Sequence, residues 1–82
     1  MRPEELLKIL RRKPFRPIRI CTTDGAAFEI LHPDQVLVYA SKIEIALDPN
    51  PRTGVWGRSE YLAPLHVARV EELEASAAGG AG

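Results

Sequence analysis

Five cations crowd nine residues near the N-terminus: Arg11, Arg12, Lys13, Arg16 and Arg19, with Phe15 among them. Clustered cationic groups suit phosphate oxygens, and an aromatic ring between them suits an unstacked base. Arg11, Arg12, Lys13 and Arg16 are therefore candidate contacts for an anion or a nucleic acid. A second reading stands beside this one: the cations complement the negative end of a helix, and Arg19 pairs with Glu29 across a hairpin. Trp56, the single Trp, sits in a stretch rich in Gly and Pro. It is a candidate partner anchor, with Tyr61 beside it on the next strand, or else a cap on the open end of the fold.

Other reactive residue types lack the neighbours that chemistry needs. Cys21 has only Arg19 nearby to lower its pKa, so an inert strand cysteine is expected. His66 could serve as a base, a ligand or an RNA contact, but no carboxylate is placed to orient it, and a structural role is expected. His32, before Pro33, reads as a turn residue, and Asp24, before Gly25, as turn chemistry. One Cys and two His make neither a disulfide nor a zinc spacing. No phosphate loop, nucleotide-binding glycine motif, nucleophile elbow or paired-carboxylate signature occurs. A non-catalytic protein is expected, with no metal and no cofactor.

The chain has 82 residues, with 11 basic and 11 acidic side chains and a formal net charge of zero. Zero conceals an asymmetry. Residues 1–20 carry seven Lys/Arg against two Glu, net +5, while residues 21–82 carry four against nine acidic groups, net −5. A uniformly basic nucleic-acid binder is excluded, whereas a local basic edge or head-to-tail contact between subunits is not. At 45% hydrophobic residues the composition is globular, and the length suits one domain with one small core. Neither a signal peptide nor a transmembrane run is visible, so a cytoplasmic location and no membrane partner are expected.

The elements that must position these residues follow from pattern. Residues 3–12 read as an amphipathic helix, with Pro3 at its first position, Glu4 and Glu5 at its positive end, and Pro14 as its stop. Residues 17–22 and 26–31 read as a hairpin. A three-residue loop, Thr23-Asp24-Gly25, sets Ile18 opposite Ile30, Ile20 opposite Phe28 and Arg19 opposite Glu29, with Cys21 on the polar face beside Ala27. Residues 35–40 are apolar on both faces. A Ser41-Lys42 turn would place Val38 opposite Ile45 and Val36 opposite Leu47 on the strand at 43–47. Residues 48–57 read as one long loop. Residues 58–63 form a strand, 64–66 one helical turn, 67–71 a last strand, and 75–82 a disordered Ala/Gly tail. The sum is a mainly β domain over 1–74. It is a short α-helix followed by about five antiparallel strands, closing into a small barrel of the Sm-like or SH3-like kind. An open antiparallel sheet with the helix on one face is the alternative.

Certain segments resemble a known pattern. Pro14-Phe15-Arg16-Pro17-Ile18-Arg19-Ile20, then Asp24-Gly25, then His32-Pro33-Asp34, then Leu65-His66-Val67-Ala68-Arg69-Val70-Glu71 occur in this order. The set resembles a family of short, uncharacterised bacterial proteins with the pattern PFxPFRI…DG…HPE…LLHIxRLE, over roughly residues 3–73. Ile18 stands where Phe is usual, and Pro64 where an aliphatic or small residue is usual. At fold level the chain is also similar to Sm-like proteins, in the Asp24-Gly25 turn, the His32–Tyr39 segment and His66 before the last strand. It departs from them at Leu65, where a Lys would stand, in the absence of a bend glycine in the second strand, and in the missing Asn of the uridine pocket. That resemblance implies a fold and not RNA binding. The expected function is a non-catalytic binding module that engages a protein partner or itself as a homo-oligomer. The alternative is a single-strand nucleic-acid or RNA binder using the basic cluster at 11–19.

Overall fold

The computed structural model describes residues 1–73. The expected tail at 75–82, and Glu74 at the end of the expected domain, lie outside the described residues.

The chain begins with helix α1 (Pro3–Leu10). Pro3 supplies no N–H where none is needed. The Glu5 carboxylate accepts the Arg2 N–H at 3.2 Å, satisfying one of the donors a helix start leaves open. The helix closes two residues before the expected end, and Arg11 and Arg12 follow it: their N–H groups donate to the carbonyls of Leu7 and Ile9.

Six strands follow: β1 (Ile18–Thr22), β2 (Ala27–Ile30), β3 (Val36–Val38), β4 (Ile43–Pro49), β5 (Trp56–Leu62) and β6 (Val67–Glu72). Short 3-10 turns at Pro33–Gln35 and Pro64–His66 precede β3 and β6. The strands form two antiparallel sheets, ordered β2-β1-β6 and β3-β4-β5. Neither closes into a barrel, which corrects the expected closed architecture. Two local causes are visible. Between β2 and β3 the buried Gln35 side chain replaces the ladder, accepting the Leu31 N–H at 3.0 Å and donating to the Glu29 carbonyl at 3.1 Å. On β5, Arg58 and Glu60 share the face of Leu47 and Ile45, so that strand carries charge where a closed barrel needs apolar side chains.

The first hairpin has the expected register, Ile18 with Ile30, Arg19 with Glu29 and Ile20 with Phe28. Gly25, at φ 91°, takes the left-handed position that the three-residue loop requires. Cys21 does lie opposite Ala27, yet it is buried at 8% exposure rather than on a solvated face, because β6 covers the other side of β1.

The second hairpin differs from expectation by two residues. Val36 pairs with Ile45 and Val38 with Ile43, so the turn is Ala40-Ser41, closed by the Tyr39 N–H donating to the Lys42 carbonyl at 2.9 Å. A slip of two leaves every side chain on its own face, so alternation alone could not separate the registers. The expected long loop is also shorter. β4 runs through Pro49 and β5 starts at Trp56, leaving residues 50–55 as the connection. The Asn50 side-chain oxygen accepts the N–H groups of Arg52 and Thr53 and organises that turn. Gly57 is a glycine for contact rather than for turning: a Cβ there would lie 2.8 Å from the Asp48 carbonyl oxygen. Asp48 itself has φ 55°, which directs that carbonyl toward Gly57.

The core is built from Leu6 and Leu10 of α1, Ile18, Ile20 and Ile30 of the first sheet, Val36, Ile43 and Ile45 of the second, and Val67 of β6. These aliphatic side chains join the two sheets under the helix, and each fully buried one contributes on the order of 1.5–3 kcal/mol. No helix among the described residues is long and apolar enough to cross a membrane.

Candidate interaction surface

The basic cluster splits on folding. Arg12 bonds Glu72 at 2.5 Å and Arg16 lies 3.6 Å from the same carboxylate. Arg19 reaches Glu29 at 3.1 Å and Glu71 at 3.3 Å. The opposed charge halves thus meet within one chain, the basic N-terminal segment lying along the acidic end of β6. Arg11 and Lys13 remain without a carboxylate partner among the described residues. They line a groove of about 390 Å³ with Phe15, Pro14 and Pro33. Of the four expected anion contacts, two are engaged in ion pairs and two are exposed beside an aromatic ring.

Glu72 titrates below the usual carboxylate range, held there chiefly by the hydrogen bond from Arg12. Glu71 is also lowered, chiefly by the hydrogen bond from Arg69, with Arg19 adding to it. A depressed folded pKa contributes stability above the unfolded value, and that stability is lost as pH falls through the folded one. The melting midpoint is therefore expected to drop as pH falls below about 4, and to drop less steeply in Glu72→Gln. A melting series in pH with both proteins checks this; parallel curves would show that Glu72 does not couple protonation to folding.

Asp24 is turn chemistry, as expected. Its carboxylate accepts the Thr22 hydroxyl and the Ala26 N–H, and the first of these chiefly lowers its pKa. His66 lends its backbone to the fold, its carbonyl accepting the Thr23 N–H at 2.9 Å. Among the described residues, no group of three or more His, Cys, Asp or Glu side chains is arranged to hold a metal.

Trp56 and Tyr61 lie on one strand but not on one face, since they stand five positions apart, an odd number on a period of two. Trp56 is half-buried, the first residue of β5 rather than a loop residue. It borders two grooves, one with Leu37 and Ala46, the other with Phe28 and Leu47. Tyr61 is 57% exposed and stands in a row with Glu44 of β4 and Leu37 of β3. Lys42 completes this outer face, its Nζ lying 4.9 Å from the Tyr39 ring centre and 4.8 Å from that of Tyr61. Such cation–π contacts contribute about 0.5–1 kcal/mol at exposed sites. The neighbouring Glu44 carboxylate is the main cause that raises the Tyr61 phenol above its ordinary pKa.

The strand expected at 58–63 is β5, which starts two residues earlier; what sequence reading missed is its exposure. Residues 57–61 are exposed on both faces, and among the described residues the far side of the strand has no neighbour in the sheet. Its charged side chains are paired locally, Arg58 with Asp48 at 2.6 Å and with Glu60 at 3.1 Å. The missed signal was the alternation of charged Arg58 and Glu60 with Ser59 and Tyr61, which marks a strand whose two faces are both wet. Searches of protein-family models, curated proteins and solved structures find no match to this chain.

Proposed function

We propose that the protein is a non-catalytic, cytoplasmic binding module whose working surface is the open edge of its second sheet, and that its first partner is another copy of itself. One observation carries this reading: β5 is a seven-residue edge strand, exposed along its middle and, among the described residues, unpaired on one side. Unsatisfied backbone donors and acceptors in a row are a template for a further strand. The other edges are shorter or interrupted. β2 has four residues and β3 three, and β6 pairs with β1 through a register shift at Cys21/Thr22. The outer face beside β5 adds Leu37 at 55% and Tyr39 at 43% exposure, the side-chain types that anchor interfaces.

Strand order supports an Sm-like or SH3-like relationship as a proposal. A helix comes first, β1 pairs with both β2 and the last strand, a three-stranded meander forms the second sheet, and a 3-10 turn precedes β6. The resemblance to short bacterial proteins is consistent with a module of this size. Light scattering at two salt concentrations tests the reading. A concentration-dependent oligomer is expected, and a strict monomer that also captures no protein partner would count against it.

A second reading rests on Arg11, Lys13 and Phe15 sharing one groove. Single-stranded RNA or another anion would contact it through phosphate. Binding would then weaken steeply with salt and with Arg11→Ala/Arg12→Ala/Lys13→Ala, read by gel shift. Equal affinity in that variant would remove the groove from the mechanism.

A further inference from the structure

We infer that β5 is a self-complementary interface: two copies of this chain pair antiparallel through β5 about a two-fold axis at Ser59, joining their second sheets into one continuous sheet. This rests on the self-association reading above and names its partner, register and symmetry.

The ladder's phase comes first. The Tyr39 N–H to Lys42 carbonyl bond shows that Lys42 directs its backbone groups to β3. Backbone direction alternates along a strand, so Glu44 also faces β3, while Ile43, Ile45 and Leu47 face β5. Their partners on β5 are Leu62, Glu60 and Arg58. The backbone groups of Ser59 and Tyr61 therefore point away from β4, into the open edge, where only another strand or water can satisfy them.

The side chains come second. An antiparallel pairing centred on Ser59 sets Trp56 opposite Leu62 of the second copy, Gly57 opposite Tyr61, and Arg58 opposite Glu60, and the two-fold repeats each pair. Every position then meets a compatible one: apolar with apolar, a glycine under an aromatic ring, and cation with anion. Arg58 and Glu60 already alternate as a salt-bridged pair within one chain. In the dimer the four groups would form a closed alternating set. Charged residues on an edge strand ordinarily block indiscriminate pairing. Here they permit this one: a shift of two residues to a centre at Gly57 sets Ser59 opposite Val55 and takes Arg58 and Glu60 out of register with each other. A two-fold interface uses one patch twice and closes at the dimer, whereas a contact from β5 to β6 of the next copy would be head-to-tail and build rings or filaments.

The test is sedimentation equilibrium of the full chain up to about millimolar concentration, with circular dichroism confirming that each variant stays folded. A dimer is expected. Arg58→Glu and Glu60→Arg should each weaken it at least about tenfold, since each opposes like charges across the two-fold, and the double variant should restore it to within about threefold. Self-association that is insensitive to these charges, or a discrete oligomer larger than a dimer, would overturn the β5 pairing while leaving self-association standing. A monomer throughout would overturn both.

Discussion

Ile20→Ala is expected to destabilise the domain by about 2–5 kcal/mol, read as the midpoint and slope of urea unfolding. Ile20 is fully buried at the centre of the first sheet, flanked by Phe28 on β2 and Val70 on β6. Truncation removes apolar contact on both sides and leaves a cavity that two paired strands cannot collapse into. A domain of this length has roughly 4–11 kcal/mol in total, so the loss is a large share of it and lowers the melting midpoint by at least about 10 °C. Tyr61→Ala, on the exposed outer face, is expected to change stability by less than about 1 kcal/mol. Equal losses at the two positions would mean that the apolar core does not dominate this fold.

Two neighbouring proline substitutions on β5 are expected to give opposite results. Glu60→Pro removes an N–H that faces Ile45 and leaves a ladder carbonyl without its donor, at a cost of about 1–3 kcal/mol in the isolated chain. Ser59→Pro removes an N–H that faces outward. Proline is tolerated on an edge strand when its nitrogen points to solvent, so the single chain should remain within about 1 kcal/mol of wild type. The same change deletes the central hydrogen bonds of the proposed dimer, and association of the folded Ser59→Pro chain should fall at least tenfold, an order-of-magnitude expectation from the loss of paired backbone bonds. Denaturation and sedimentation separate the two effects. If Ser59→Pro unfolds the chain and Glu60→Pro does not, the phase of the ladder is the reverse of that described.

The β1–β2 hairpin was legible in the sequence because each choice there changed what a residue touched. Shifting the β1–β2 register by one residue would have placed Phe28 opposite Cys21 and left Arg19 without Glu29, so pattern and charge agreed on one answer. The β3–β4 register was not legible, since a slip of two keeps Val36, Val38, Ile43 and Ile45 all facing inward. The register goes with the Ala40-Ser41 turn, closed by the Tyr39 N–H donating to the Lys42 carbonyl, and it leaves Lys42 between the Tyr39 and Tyr61 rings, a contact that no single segment displays. The basic cluster was visible as composition, but its partners Glu71 and Glu72 lie more than fifty residues away along the chain and became neighbours only when β6 docked on β1. Trp56 was misplaced because prolines and glycines were read as loop markers. Pro49 instead ends β4, and Gly57 sits inside β5 to admit the Asp48 carbonyl. Barrel closure failed for a related reason: the strand count was nearly right, but the charges on β5 could be assigned to a face only once its partner strand was known.

The most direct test of β5 pairing is an isotope-filtered nuclear Overhauser experiment on a mixture of labelled and unlabelled chains at concentrations where the oligomer is populated. Contacts between copies are expected from the Tyr61 ring to the Gly57 Hα protons, and from the Trp56 indole to the Leu62 methyl groups. Contacts from β5 to Val67–Glu72 of the other copy, or none involving β5 in a sample shown to be oligomeric, would contradict a two-fold at Ser59.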